Sequence, residues 1–259
     1  MVGFVVTDAE IENPQFGRGL VERDFSVHPL GWCEAVRGFD IPLIPRDEMM
    51  ARWDMQKKQR GCNRDLMRAK NIQPLNQDRT KYCWAYSSTF ATMMAVARSG
   101  RRCEPLSGTS IACKIKNFRN QGGWCTKSME YITEHGVCRI ADWPQGMAGL
   151  RRDIDTPGVW KRAKRFRVTE WMDLEPGNID QLITCLLLGL PVATDYNWWG
   201  HSVCTADIAD LQIRGGKITT FDSECVNSWG SGWGDNGRGV LRGRKTLFNS
   251  AVVPMVVVG

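Results

Sequence analysis

The chain reads as an α+β protein, helical in its first half and β-rich in its second. Two patterns carry that reading. From Cys83 to Arg98 the run CWAYSSTFATMMAVAR holds neither Gly nor Pro and is dominated by alanine, methionine and other apolar residues. After Pro191, short runs rich in β-branched residues alternate with turn signals such as Gly215-Gly216. At 259 residues and 42% hydrophobic content, the chain can bury a sizeable core in one large domain or two lobes.

The elements follow in order. Residues 1–45 are rich in turn formers (Asn13-Pro14, Gly17, Gly19, His28-Pro29-Leu30-Gly31, Pro42, Pro45) and carry no long periodic pattern, so they are expected as an extended arm or lid. Residues 46–70 place Met49, Met50, Trp53, Met55, Leu66 and Met67 at helical spacing, with a break near Gly61. Gln73-Pro74 and Asn76-Gln77-Asp78 then form a turn. Cys83 opens a buried helix that Gly100 closes. Further helices are expected over 126–135, ended by Gly136, and 179–188, ended by Gly189. Strands are expected over 191–197, 201–214, 217–229, 239–245 and 251–258. This divides the chain into an arm (1–45), a helical lobe (46–150) and a β-rich lobe (151–259).

The net charge of +6 is spread out except at Arg151, Arg152, Lys161, Arg162, Lys164, Arg165 and Arg167. No binding motif accompanies that cluster, so it reads as a solvated face and no nucleic-acid partner is expected. The start MVGFVVTDAEIENP lacks a basic region and a long apolar run, and the apolar stretches 185–193 and 251–258 are interrupted and short. Neither a signal peptide nor a membrane partner is expected. Ten cysteines occur without a C-x-x-C pair and beside three histidines, which argues against zinc, and no cofactor is expected. They are expected as mostly reduced thiols, in a reducing compartment or a virion rather than after classical secretion. Cys204 and Cys225, flanking the strands of His201 and Asn227, are expected to face each other as a free pair.

A thiol attacks as thiolate, and a helix N-terminus and a neighbouring imidazolium both lower its pKa. Cys83 has the first, and His201, at the start of a strand, is the best source of the second. His28 lies in the arm and His135 at a helix end. Asn227 in VNSWGSGWGDNGRG could orient the imidazole, and Gln77, six residues before Cys83, could share an oxyanion with the Cys83 N–H.

These blocks resemble the papain-like cysteine peptidases. The family's N-Q-G-x-C-G-S-C-W-A-F-S is matched by Asn76, Gln77, Cys83, Trp84, Ala85, Tyr86 and Ser87. Asn227-Ser228-Trp229-Gly230-Ser231-Gly232-Trp233-Gly234-Asp235-Asn236-Gly237 is similar to N-S-W-G-x-x-W-G-x-x-G, and Gly122-Gly123 to the family's N-G-G segment. His201 sits where the family has its N-H-A or D-H-A block. The order agrees, although His201 comes earlier than the family's interval of about 130 to 150 residues, which implies a trimmed loop between Pro191 and His201.

The resemblance implies a two-lobe fold, a helical lobe packed against a β-barrel-like lobe, with the active-site cleft between them. It implies that Cys83 is the nucleophile, His201 the general base and then acid, Asn227 the orienter and Gln77 an oxyanion donor. Trp229 would shield the His201–Asn227 bond, and Gly122 and Gly123 would leave backbone free to pair with an extended substrate. Trp198-Trp199 would line a substrate pocket or pack the lobe interface.

Departures from the family are informative. Thr80-Lys81-Tyr82 replaces C-G-S and Asn120 replaces the cysteine before N-G-G, so both halves of one family disulfide are missing together. Asp78 stands where Gly is usual and Arg238 where an aromatic is. The arm lacks the family's helical propeptide pattern.

Three readings remain open: a cysteine endopeptidase acting on a peptide or protein substrate; a structural or assembly component, for example of a phage particle, with the triad idle or used once; and another acyl transfer by the same thiol. An arm lying in the cleft would imply autoinhibition, and an arm bound to a protein partner would imply assembly.

Overall fold

The computed structural model describes residues 3–12, 15–33 and 36–258. In chain order it contains α1 (Asp8–Glu12), β1 (Val36–Gly38), α2 (Arg46–Lys58), α3 (Asn63–Lys70), α4 (Cys83–Arg98), α5 (Gly108–Ile115), α6 (Cys125–His135) and α7 (Pro157–Ala163). There follow β2 (Arg167–Leu174), α8 (Ile179–Leu187), β3 (Val192–Tyr196), β4 (His201–Arg214), β5 (Lys217–Val226), β6 (Arg238–Arg242) and β7 (Ser250–Val258).

The Gly-free run from Cys83 forms α4 over the expected residues, and Ala, Ser and Met on nearly every side let it be buried almost throughout. Gly61 breaks the long helical pattern into α2 and α3, as expected. Asn178 caps α8, its side chain accepting the Gln181 N–H. β4 and β5 form a hairpin whose turn residues Gly215 and Gly216 have φ of +55° and +70°. Only residues tolerant of the left-handed region turn a two-residue hairpin this way.

The strands join one seven-stranded sheet in the order β1-β2-β7-β3-β4-β5-β6, antiparallel except for the short β1–β2 pair. Period-two alternation sends neighbouring side chains to opposite faces. Trp171, Ala193, Cys204, Val226 and Val252 pack with α4, α5 and α6, whereas Met172, Val192, Val203, Cys225 and Val253 pack with α8 on the other face.

This layering corrects two expectations. Met49 is buried and Met50 and Trp53 are partly buried in the core shared with α8, so α2 does not join the helical unit drawn over 46–150. Cys204 is in register with Val226, and Cys225 with Thr205, so the two cysteines lie on opposite faces and do not form a facing pair. The basic stretch is the solvated face expected of it: Arg151, Arg152, Lys161, Arg162, Lys164 and Arg165 are exposed, and Arg167, where β2 begins, is half-buried. Upstream, Arg151 pairs with Asp153 and Arg162 with Asp142 at the surface, while from Val168 the chain enters the core.

The arm is part of the fold. Val5 bridges to Val240 at the β6 edge and Phe4 meets Trp233 edge-on at 5.3 Å. At the other end β1 pairs with β2. Between them Arg23, 5% exposed, donates to both oxygens of Asp173 at 2.8 and 2.7 Å and to the carbonyls of His28 and Pro29. Burial raises the Asp173 pKa, and Arg23 pulls it back. Arg23→Met would strand a buried carboxylate at a cost of about 3–5 kcal/mol. Urea titration should show Arg23→Met with Asp173→Leu less damaged than Arg23→Met alone.

Candidate active site

Two residues of backbone pairing bring the two motif blocks together. The Gln77 N–H donates to the Ser228 carbonyl at 2.8 Å, and the Gly230 N–H to the Leu75 carbonyl at 3.0 Å, with Asn76 opposite Trp229. This seam puts the turn before α4 against the chain leaving β5, so Cys83 and Asn227 share one neighbourhood. His201, first residue of β4, donates its Nε2–H to Asn227 Oδ1 at 2.8 Å. Asn227 Oδ1 also accepts the Ser228 N–H at 2.7 Å. An amide oxygen only accepts, so the neutral His201 ring carries its proton on Nε2 and leaves Nδ1 bare. Nδ1 is buried and has no hydrogen-bond partner among the described residues.

Aromatic rings enclose that pair. Trp229 lies 4.6 Å from the His201 ring at a 33° tilt, and Trp199 meets the same ring edge-on at 4.9 Å. Trp199 is 1% exposed, so its side chain packs beneath His201 rather than forming an open pocket wall. Its backbone carbonyl, however, accepts Arg18 at 3.4 Å. Trp198 stacks on Trp199 at 5.5 Å.

The arm occupies the cleft. Phe16 stacks on Trp229 at 4.7 Å, nearly parallel to it. The Gly17 carbonyl accepts both the Gln77 side-chain amide at 2.8 Å and the Trp229 indole at 3.2 Å. Gln77 is itself held by Ser228, whose hydroxyl donates to Oε1. The Gly123 N–H donates to the Gly19 carbonyl at 3.0 Å and the Val21 N–H to the Gly123 carbonyl at 2.9 Å, a parallel bridge centred on Leu20. Glycine is required on both sides. A Cβ at Gly17 would stand 2.1 Å from the Thr80 carbonyl oxygen, one at Gly19 2.2 Å from that of Lys81, and one at Gly122 2.4 Å from that of Gly19. Gly123 is tight for another reason, the Trp84 ring at 2.7 Å.

Burial under the arm keeps the pair uncharged. Desolvation pushes the Cys83 thiol up to about 11, although N–H groups of Ser202 and Gly19 pull against it. Desolvation pushes His201 down to about 3, against the Asn227 bond, and the Arg18 charge pushes the same way as burial. Both residues are fully buried. Thiol and imidazole therefore stand neutral at pH 7.

The departures from the resemblance have local explanations. Asp78 adopts φ of +56°, the region that favours Gly. Where the disulfide is missing, the Lys81 N–H donates to the Asn120 side chain at 2.6 Å and the Tyr82 hydroxyl to the Arg119 carbonyl at 3.0 Å, closing the same seam without sulfur. Arg238 is 9% exposed and paired with Asp235. All ten cysteines are free thiols. No cluster of His, Cys, Asp and Glu among the described residues could hold a metal, and none of their helices is long and apolar enough to cross a membrane. Sequence reading missed Asp195, Gly17 and Gly19; the paired glycines in FGRG were the only signal for the last two.

No family model matches the chain. Cathepsin L 1 and Cathepsin L 2 of Paramecium tetraurelia are 23% and 24% identical over 193 and 194 residues, 71% of this chain and 60% of each relative. The chain thus spans less than two thirds of the length of these curated relatives. Among solved structures, xylellain, a cysteine protease from Xylella fastidiosa, superposes with a TM-score of 0.57 at 18% identity, over 71% of this chain and 83% of its own. Digestive procathepsin L2 proteinase from Tenebrio molitor larval midgut gives 0.59 at 17% identity, over 99% and 85%. The chain has the papain-like α+β fold.

Nitrogen NMR of the His rings should find His201 neutral at pH 5 in the full chain, with its proton on Nε2. A ring titrating near 6.5 would contradict the buried geometry.

Proposed function

We propose that this papain-like chain is a cysteine endopeptidase held closed by its own arm. The observation that carries the reading is an extended peptide, residues 16–21, already seated between the Gln77 amide, the Cys83 sulfur and the Gly123 backbone. A peptide carbonyl can thus reach the Gln77 donor, which is the contact that acyl transfer at this site requires. The relatives named above as cysteine proteases support the same reading.

With the arm displaced, water reaches Cys83 and His201 and the desolvation that keeps them neutral is relieved. The bare Nδ1 of His201 then takes the thiol proton. The sulfur attacks a substrate carbonyl, the oxyanion is held by the Gln77 amide and the Cys83 N–H, and imidazolium returns the proton to the leaving amine. Water, deprotonated by the same ring, frees the acid. Asn227 keeps the ring in the tautomer these steps need, and Trp229 covers their bond.

A second reading, a structural or assembly component, is favoured by how firmly the arm is bound: the Val5–Val240 bridge, the Arg23–Asp173 pair and β1 anchor it on both sides of the cleft. One substitution separates the two. Gly19→Val cannot seat beside the Lys81 carbonyl, and overpacking of that kind costs roughly 1–3 kcal/mol. Labelling of Cys83 by an epoxysuccinyl peptide should accelerate roughly tenfold or more, peptide cleavage should appear, and both should vanish in His201→Ala. A Gly19→Val protein that opens, by protease sensitivity of residues 15–33, yet neither labels nor cleaves would leave the structural reading.

The pH dependence follows from His201. Its value in the closed state lies below the ordinary 6.5, so the closed state has its full advantage above 6.5 and loses it as pH falls toward 3. At pH 5 this ring alone disfavours closure by about 2 kcal/mol. Labelling of the unmodified chain should therefore speed up between pH 7 and 5; a rate that only falls over that interval would contradict the arrangement.

A further inference from the structure

Beneath the nucleophile lies a carboxylate that the steps above leave without a task. Asp195, on β3, is 1% exposed and sits opposite Ser202 of β4. One oxygen accepts the Ser202 hydroxyl; the other accepts the Cys125 N–H at 3.0 Å. Cys125 is the first residue of α6, directly after the Gly122-Gly123-Trp124 segment that pairs with the arm. Ser202 follows His201; its N–H favours the Cys83 thiolate, its hydroxyl faces the same sulfur, and the Asp195 charge opposes ionisation. One buried side chain thus holds the start of α6, just after the pairing segment, to the strand of His201, one residue removed from the sulfur.

Resting on the peptidase reading, we propose that Asp195 is a positioning residue which, through Ser202, decides whether the hydroxyl facing Cys83 offers a hydrogen or a lone pair, and so how readily the thiol ionises. A serine hydroxyl has a single hydrogen. An ionised Asp195 only accepts, so Ser202 gives that hydrogen to it and turns a lone pair toward the sulfur, an arrangement that suits S–H. A protonated Asp195 can donate to the Ser202 oxygen, which frees the serine hydrogen for the thiolate. One proton on Asp195 changes the state, and no bond between heavy atoms forms or breaks.

Charges around Asp195 come from several elements: Cys83 of α4, Cys125 of α6 and Arg23 of the arm, with Asp173 of β2 beyond Cys125. Both thiols are raised by burial, Cys83 to about 11 and Cys125 well above its ordinary value. Arg23 is engaged by Asp173. Desolvation lifts Asp195 itself to about 6 against its Ser202 and Cys125 donors, so its proton comes and goes in mildly acid solution.

The test measures alkylation of Cys83 by iodoacetamide, resolved by mass spectrometry, from pH 4 to 9 in full-length Gly19→Val protein. In Asp195→Asn the amide oxygen takes the Cys125 N–H and the NH2 group donates to Ser202, so the serine hydrogen stays on the sulfur side. The acid-side midpoint of labelling should fall by about one pH unit, tenfold in thiolate fraction at fixed pH. Ser202→Ala should raise it, and adding Asp195→Asn to Ser202→Ala should then lower it by less than Asp195→Asn does where Ser202 is kept, since only the direct effect of the carboxylate charge is lost. An unchanged midpoint in Asp195→Asn, with only a lower melting temperature, overturns the proposal and leaves Asp195 a structural cap for α6. An equal shift with and without Ser202 overturns the relay. Labelling reports ionisation and needs no turnover. A protein that labels with the shifted midpoint but cleaves no peptide would sink the peptidase reading alone, and one that cleaves peptides without the shift would sink this inference alone.

Discussion

The site depends on a backbone seam two hydrogen bonds long. Gln77 N–H to Ser228 and Gly230 N–H to Leu75 join segments about 150 residues apart in the chain. Every other feature of the site is measured from that seam: α4 starts six residues after Gln77, and Asn227 immediately precedes Ser228. The same serine donates its hydroxyl to the Gln77 side chain, so one residue fixes both the register and the direction of the amide. Backbone pairing tolerates side-chain variation, and the loop before α4 is held by hydrogen bonds from Lys81 to Asn120 and from Tyr82 to Arg119.

Electrostatics of the buried site follow from the arm. A thiol and an imidazole ionise readily where water supports their charge, and here Cys83 and His201 are fully buried beneath a peptide that excludes it. The arm adds Arg18, whose charge opposes protonation of His201. It gains its place through glycines at Gly17 and Gly19, through a stacked Phe16, and through the Arg23–Asp173 pair beyond the cleft. Burial under the arm and the neutrality of Cys83 and His201 thus have the same physical origin in desolvation.

Much of this was legible from residue order. α4 was visible because sixteen residues without Gly or Pro leave little alternative to a helix, and the β4–β5 hairpin because two consecutive glycines mark its turn. β2 was hidden: Arg167 and Glu170 alternate with apolar residues beside a basic cluster, and only pairing with β7 makes that segment a strand. α5 begins at Gly108, whose close approach to the Tyr86 ring has no counterpart in helix propensity. α2 looked like part of the helical unit because its neighbours in sequence are helical, yet Met49 packs toward α8.

The sequence by itself determined which side chains could do chemistry: a cysteine opening an apolar helix, a histidine opening a strand, an asparagine and a glutamine at spacings that matched a known arrangement. Those are local properties, set by propensity and by order along the chain. Tertiary structure alone decided that residues 16–21 cover the cysteine, that Cys204 and Cys225 face opposite ways, and that Asp195 lies under the sulfur. Each depends on register between strands, or on the path of a segment without periodicity, where a shift of one residue reverses every side chain and no local preference chooses between the two.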